Sequence, residues 1–242
     1  MSYQNSNEAQ EAILEAGRRL YQRGYVAAND GNISARMADG TVWATPTGVS
    51  KGFMTPEMLV RLTPEGAVVE GTWRVSSEIA MHLAIYRENP ALGGVVHSHA
   101  PAATAYASLG KPFDLAISLE TAVQLGVIPC APYAVTGSPE LAEAAAQFCR
   151  EYHGAFLEHH GAVTWGADVM QALFRTESLE HTVTMYEHML ALGTPRLLPE
   201  RQLGELEAVR RRFGITGGGR PRGQAPRPRH RPRCCAPRRF RC

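Results

Sequence analysis

His97 and His99 stand one residue apart in the apolar run Gly94-Val95-Val96-His97-Ser98-His99. If that run is a strand, side chains at i and i+2 leave the same face, so both imidazoles can reach one metal ion. A His-x-His pair also occurs on ordinary strands, and a third donor is what separates the two readings. His159-His160-Gly161 supplies candidates at the end of a second apolar run. Neighbours on a strand face opposite ways, so only one of that pair should join. Three imidazoles with a fourth position open is the arrangement in which zinc keeps Lewis-acid capacity for a substrate.

A carboxylate and several hydroxyls lie upstream. Ser76-Ser77-Glu78 reads as a helix start. Capping by Ser77 and the favourable position of Glu78 at the helix dipole would explain the triplet without any chemistry. The same hydroxyls and free N–H groups also make an anion site, where a substrate phosphate could sit with Glu78 near the metal. Gly31-Asn32 and the loop Thr45-Pro46-Thr47-Gly48-Val49-Ser50-Lys51-Gly52 suit a phosphate cradle or an ordinary polar turn. Neither a Walker loop nor a Gly-x-Gly-x-x-Gly dinucleotide fingerprint is present.

These groups need elements to hold them, and helices alternate with strands along the chain without an internal repeat. Apolar residues over 8–24 fall on one face of a helix that should cover a sheet. Residues 31–36 and 41–45 read as a hairpin around Asp39-Gly40. Thr55-Pro56-Glu57 and Ser138-Pro139-Glu140 carry a cap followed by proline at the first helical position. A helix is expected over 78–87, and a buried strand over 94–99 ends at Ala100-Pro101. Residues 155–158 and 162–165 form a strand pair interrupted at Gly161. A long helix follows Asp168 to about Leu192, and a last one covers 199–213. The fold class is α/β or α+β, in one domain over residues 1–216.

The 242 residues can bury one sizeable core, and no apolar run approaches the roughly 18 to 20 residues that span a bilayer. A secretory n-region and h-region are lacking at residues 1–8, so a cytoplasmic location is expected, with no membrane partner. The odd total of five cysteines, three of them among the last nine residues, excludes a disulfide framework. The overall charge of +2 averages two unlike parts. Nine arginines and five prolines, but no acid, lie in residues 217–242, which leaves residues 1–216 at a net −7. So few apolar residues cannot offset ordering entropy, so the segment from Gly217 is expected to be a disordered tail. Its arginines could neutralise phosphates, but no fold motif or aromatic platform accompanies them, and nucleic acid is not the expected partner.

Taken together and in this order, the segments resemble the class II aldolase/adducin superfamily, and within it the L-fuculose-1-phosphate aldolase type. The resemblance runs from about residue 8 to about residue 216. It is carried by Gly31-Asn32-Ile33-Ser34, Thr45-Pro46-Thr47-Gly48, Ser76-Ser77-Glu78, His97-x-His99-Ala100, Ile128-Pro129-Cys130-Ala131-Pro132-Tyr133 and His159-His160-Gly161. It implies a central, mainly antiparallel nine-stranded sheet flanked by helices, and a homotetramer with active sites at subunit interfaces. It implies Zn2+ on His97, His99 and His160, with Mn2+ or Co2+ as alternatives. Asn32, Thr47, Gly48, Ser76 and Ser77 would hold a phosphate, and Glu78 would be the acid/base. The expected reaction is retro-aldol cleavage of a ketose 1-phosphate to dihydroxyacetone phosphate and an aldehyde, without a lysine Schiff base.

Two departures bear on the substrate. Tyrosines of the fuculose phosphate enzymes fall at Ser118 and near Phe213. Both phenols are lost from the aldehyde side, which points to a less hydroxylated aldehyde half, as in a 5-deoxy- or 5-methylthio-pentulose 1-phosphate. The rival lyases are a methylthioribulose-phosphate dehydratase and a phospho-keto-acid decarboxylase. A pentulose-5-phosphate 4-epimerase would carry Asp at Glu78 and an acid near Ala122, and an adducin-like interaction module would have lost the histidines.

Overall fold

A computed structural model of the chain describes residues 2–224. An opening helix α1 (Ser6–Gln22) leads to strands β1 (Asn32–Arg36), β2 (Val42–Ala44), β3 (Val60–Leu62) and β4 (Val68–Glu70). Helix α2 (Ile79–Glu88), strand β5 (Gly94–Ser98) and helix α3 (Pro101–Ala107) follow, then β6 (Cys130–Ala131), α4 (Pro139–Ala146), β7 (Gly154–Leu157) and β8 (Gly161–Gly166). Two helices, α5 (Val169–Leu192) and α6 (Glu200–Arg212), close the fold. The strands form one sheet in the order β4-β3-β2-β1-β5-β8-β7-β6, antiparallel throughout except where β6 runs parallel to β7. Among the described residues the sheet has eight strands where nine were expected.

Both faces of the sheet are covered, and β5 shows why it reads as a continuous apolar run. Val95 joins the core beneath α2 and α4, with Ile85, Leu141 and Trp165, while its neighbour Val96 points the other way and packs with Ile13, Leu20 and Ile33 under α1 and α5. A strand buried on both faces does not alternate with polar residues. His97 therefore leaves β5 on the α2 side, toward the start of that helix. The expected hairpin is present, with Ala35 opposite Trp43. Ser138 caps α4 by accepting from the Leu141 N–H.

Two expectations need correction. The N-cap of α2 is Glu78, not Ser77, and the Ser76 hydroxyl instead accepts from the Glu78 N–H at 3.3 Å. The tail does not begin at Gly217. Residues 217–224 lie along the body: Gly218 accepts from the Val127 N–H and donates to the Glu151 carbonyl, and the Arg222 guanidinium pairs with Asp114. Composition misled here because this segment docks largely through its backbone, which three glycines at positive φ let approach, and through ion pairs of Arg220 and Arg222, with Pro221 alone among its side chains buried. The other seven arginines of the expected tail lie in residues 225–242, outside the described residues.

Truncation after Gln224 should therefore leave melting temperature and turnover unchanged. Truncation after Thr216 removes several backbone hydrogen bonds, each worth about 0.5–1.5 kcal/mol, and should lower the melting temperature by about 5 °C or more. Equal melting of the two truncated chains would refute a structural role for residues 217–224.

Candidate active site

Strand β5 ends as it delivers the first two histidines. His97 is its penultimate residue, fully buried, and donates Nδ1–H to the Ala162 carbonyl at 3.0 Å, which turns Nε2 inward. His99 lies just past the strand, its Nδ1 3.4 Å from Asp30 and its Nε2 3.1 Å from that of His97. Ala100-Pro101 then stops the strand and opens α3, whose Ala102 and Ala103 N–H groups donate to the buried Glu180 carboxylate of α5 at 2.9 and 2.8 Å. Glu180→Ala would orphan both N–H groups three and four residues beyond His99. The expected loss is roughly 2–4 kcal/mol, or about 5–10 °C in melting temperature by calorimetry. A shift under about 1 °C would show that the contact contributes nothing.

The third histidine arrives on a turn. Residues 158–160 connect β7 to β8 as a tight turn, not as the end of a strand, so strand alternation is not what separates His159 from His160. His159 takes φ +57° and is exposed, whereas His160 faces His97 and His99 with ring centroids 4.8 and 5.1 Å away. Gly161 is what lets the turn come so close. A Cβ there would lie 2.6 Å from the Ser98 carbonyl oxygen and 2.9 Å from the His99 ring. The candidate ligand atoms of His97, His99 and His160 all lie within 4.8 Å of one another.

Glu78 stands against this triad. Its Oε2 is 3.2 Å from His97 Nε2 and its Oε1 3.3 Å from His160 Nε2. Asn32 donates to Oε2 and Thr136 to Oε1, both at 2.8 Å. Burial raises the carboxyl pKa, but His97, then His160 and the Asn32 amide, outweigh it and hold Glu78 below the usual carboxylate range. Burial pushes His160 down to about 4 and lowers His99, so both are neutral at neutral pH, the form that ligates a metal. The donor set fits a borderline divalent ion such as zinc: three imidazole nitrogens converge, and His97 and His99 each have the other ring nitrogen on an outer partner.

The pocket in front of these groups encloses about 470 Å³, within the range of small-molecule sites. Asn32, Thr47, Ser76 and Ser77 line it with Glu78, His99 and His160, whereas Gly48, at φ +75°, shapes the loop beside it. Among the described residues Lys51 is the only cationic side chain other than histidine on its wall. It is 1% exposed and donates to the Asn29 and Val49 carbonyls at 2.9 and 2.7 Å, tying the two site loops together. Burial pulls its pKa down to about 8, partly opposed by Asp30. Of the positions where the phenols are lost, the Ser118 hydroxyl accepts from the Thr121 N–H, and Phe213 is exposed beyond α6. Neither lines the pocket of its own chain.

Sequence reasoning missed Asp30, His82 and Thr136. His82 follows Glu78 by four residues, one helical turn, a spacing that could have drawn attention to it. No pattern in the sequence marks Thr136.

Residues 11–186 match the family described as Class II Aldolase and Adducin N-terminal domain. The chain is 32% identical over 197 residues to the 5-deoxy-D-ribulose 1-phosphate aldolase of Bacillus thuringiensis serovar kurstaki, which covers 81% of this chain and 92% of that protein. It is 34% identical over 209 residues to the 3-oxo-tetronate 4-phosphate decarboxylase of Cupriavidus necator, covering 83% of this chain and 94% of that one. A solved L-fuculose 1-phosphate aldolase matches with a TM-score of 0.79 and 26% identity, over 88% of this chain and 100% of the other.

Proposed function

The chain belongs to the class II aldolase and adducin N-terminal domain family of enzymes, and from that premise we propose that it cleaves a ketose 1-phosphate, a 5-deoxy-pentulose 1-phosphate foremost, to dihydroxyacetone phosphate and an aldehyde. The observation that carries this reading is the placement of Glu78 between two of three convergent histidines, at the edge of a pocket walled by hydroxyls.

His97, His99 and His160 would hold the metal, zinc in first place, which when bound supplies Lewis-acid stabilisation of the charge that develops beside the substrate carbonyl. The protein's own groups do the rest. Ser76, Ser77 and Thr47 bind the phosphate, with Asn32 beside them, and Gly48 allows the loop its turn around it. Lys51 keeps that loop packed against residues 29–30. Glu78, ionised and held at both oxygens, takes the proton of the C4 hydroxyl as the C3–C4 bond opens, and a proton is returned to C3.

Decarboxylation of a phosphorylated 3-oxo acid is the second reading, supported by the likeness to the Cupriavidus enzyme. Both reactions break a carbon–carbon bond and leave charge next to a carbonyl, but only the retro-aldol needs a base for a hydroxyl. The zinc-loaded protein should be offered 5-deoxy-D-ribulose 1-phosphate, L-fuculose 1-phosphate, 5-methylthioribulose 1-phosphate and 3-oxo-tetronate 4-phosphate in turn. Dihydroxyacetone phosphate released fastest from the first is the expected result. Carbon dioxide from the last, with no triose phosphate from the others, would replace the aldolase reading.

We also propose a homotetramer with the site completed at a subunit interface, in keeping with the 64% and 62% exposure of Tyr133 and Val135 on the pocket wall. A cytoplasmic location belongs to the same proposal. No described helix is long and apolar enough to cross a membrane.

A further inference from the structure

A hydrogen-bonded chain runs from Glu78 into the core beneath it. Asn32 Nδ2 donates to Glu78 Oε2, Asn32 Oδ1 lies 2.6 Å from His82 Nε2, and His82 Nδ1 lies 2.7 Å from the Ser34 hydroxyl. The Tyr86 hydroxyl closes the chain by donating to the Ser34 carbonyl. His82 is 1% exposed and Asn32 4%, so neither ring nor amide exchanges these partners for bulk water.

The polarity of every link is set from the Glu78 end. An ionised carboxylate only accepts, so the Asn32 amide must turn its NH2 toward Glu78 and its carbonyl away. A carbonyl also only accepts, so His82 must carry its proton on Nε2. A neutral imidazole protonated there has a bare Nδ1, which takes the Ser34 hydroxyl proton. The opposite tautomer would call for a flipped amide, with its oxygen facing the carboxylate.

We propose that His82 is a positioning residue for Glu78: by fixing the tautomer and tilt of its own ring it fixes the Asn32 amide, and the amide holds the carboxylate at the metal face. This rests on Glu78 being the acid/base of the reaction. A histidine that merely fills the core would have no reason to couple to Glu78. Outer partners of this kind typically change activity 10- to 100-fold when removed.

The test uses the zinc-loaded full chain, with release of dihydroxyacetone phosphate from 5-deoxy-D-ribulose 1-phosphate or L-fuculose 1-phosphate, whichever is cleaved faster. His82→Leu should lower kcat by about 10- to 100-fold while KM and bound zinc per chain stay within about twofold. His82→Gln, whose amide can donate to Asn32 and accept from Ser34, should recover most of that loss. In a Glu78→Gln background His82→Leu should slow the enzyme no further. An equal slowing in both backgrounds, or loss of zinc, would overturn the proposal. A second measurement needs no substrate and no folded His82 variant beyond the glutamine one used for assignment. Nitrogen-15 spectra of histidine-labelled protein should show His82 as the neutral Nε2–H tautomer, and an Nδ1–H tautomer would overturn the assignment. If Glu78→Gln alone kept its rate, the reading of Glu78 would fall while the tautomer result stood, so the two failures are distinguishable.

Discussion

Glu78→Gln should turn substrate over about 10² to 10⁴ times more slowly than the natural chain, with KM little changed. The amide is isosteric, and its oxygen can still accept from Asn32 while its nitrogen donates to the Thr136 hydroxyl, so the network that seats the side chain survives. What disappears is the charge and the capacity to take a proton. The loss should therefore fall on kcat, because the substituted group acts on the reacting atoms and not on the phosphate. A rate within a few-fold of the natural chain would reduce Glu78 to a structural carboxylate held by Asn32 and Thr136 at the start of α2.

The second large effect concerns the ion. His160→Ala should lose bound zinc on dialysis and fall to background turnover, whereas a change at His159 should leave about one zinc per chain by elemental analysis. The turn makes the control delicate. His159 sits in the left-handed region, where alanine is strained by about 1–2 kcal/mol, so His159→Asn, which tolerates that conformation, is the better variant. Zinc lost from the His159 variant and kept in the His160 variant would mean that the turn presents the other ring.

The two halves of the candidate metal centre were legible to different depths. The pairing of His97 with His99 follows from a two-residue spacing, a local property that holds even though His99 lies just past the end of the strand. His160 was reached through the resemblance, but the alternation argument does not apply to a turn in which one residue has positive φ. Glu78 was visible as a helix-start carboxylate. Its partners Asn32 and Thr136 come from 46 and 58 residues away in sequence, a distance no window of local pattern spans. β3 and β4 escaped notice because three-residue strands, with the edge strand β4 exposed throughout, leave little periodicity to read. The segment after Gly217 went wrong for a different reason: composition measures what side chains can bury, and this segment is held by backbone hydrogen bonds and arginine–carboxylate pairs.

The seating of Lys51 gives the chain a built-in reporter. The only other lysine in the sequence is Lys111. An amine-reactive reagent applied to the intact protein would find the exposed Lys111 at once, but Lys51 only in those moments when its bonds to the Asn29 and Val49 carbonyls let go. The slow acylation of this one amine, followed by mass spectrometry, thus clocks the opening of the loop that Lys51 ties down, and a bound phosphate ester should slow that clock if the loop holds phosphate as proposed.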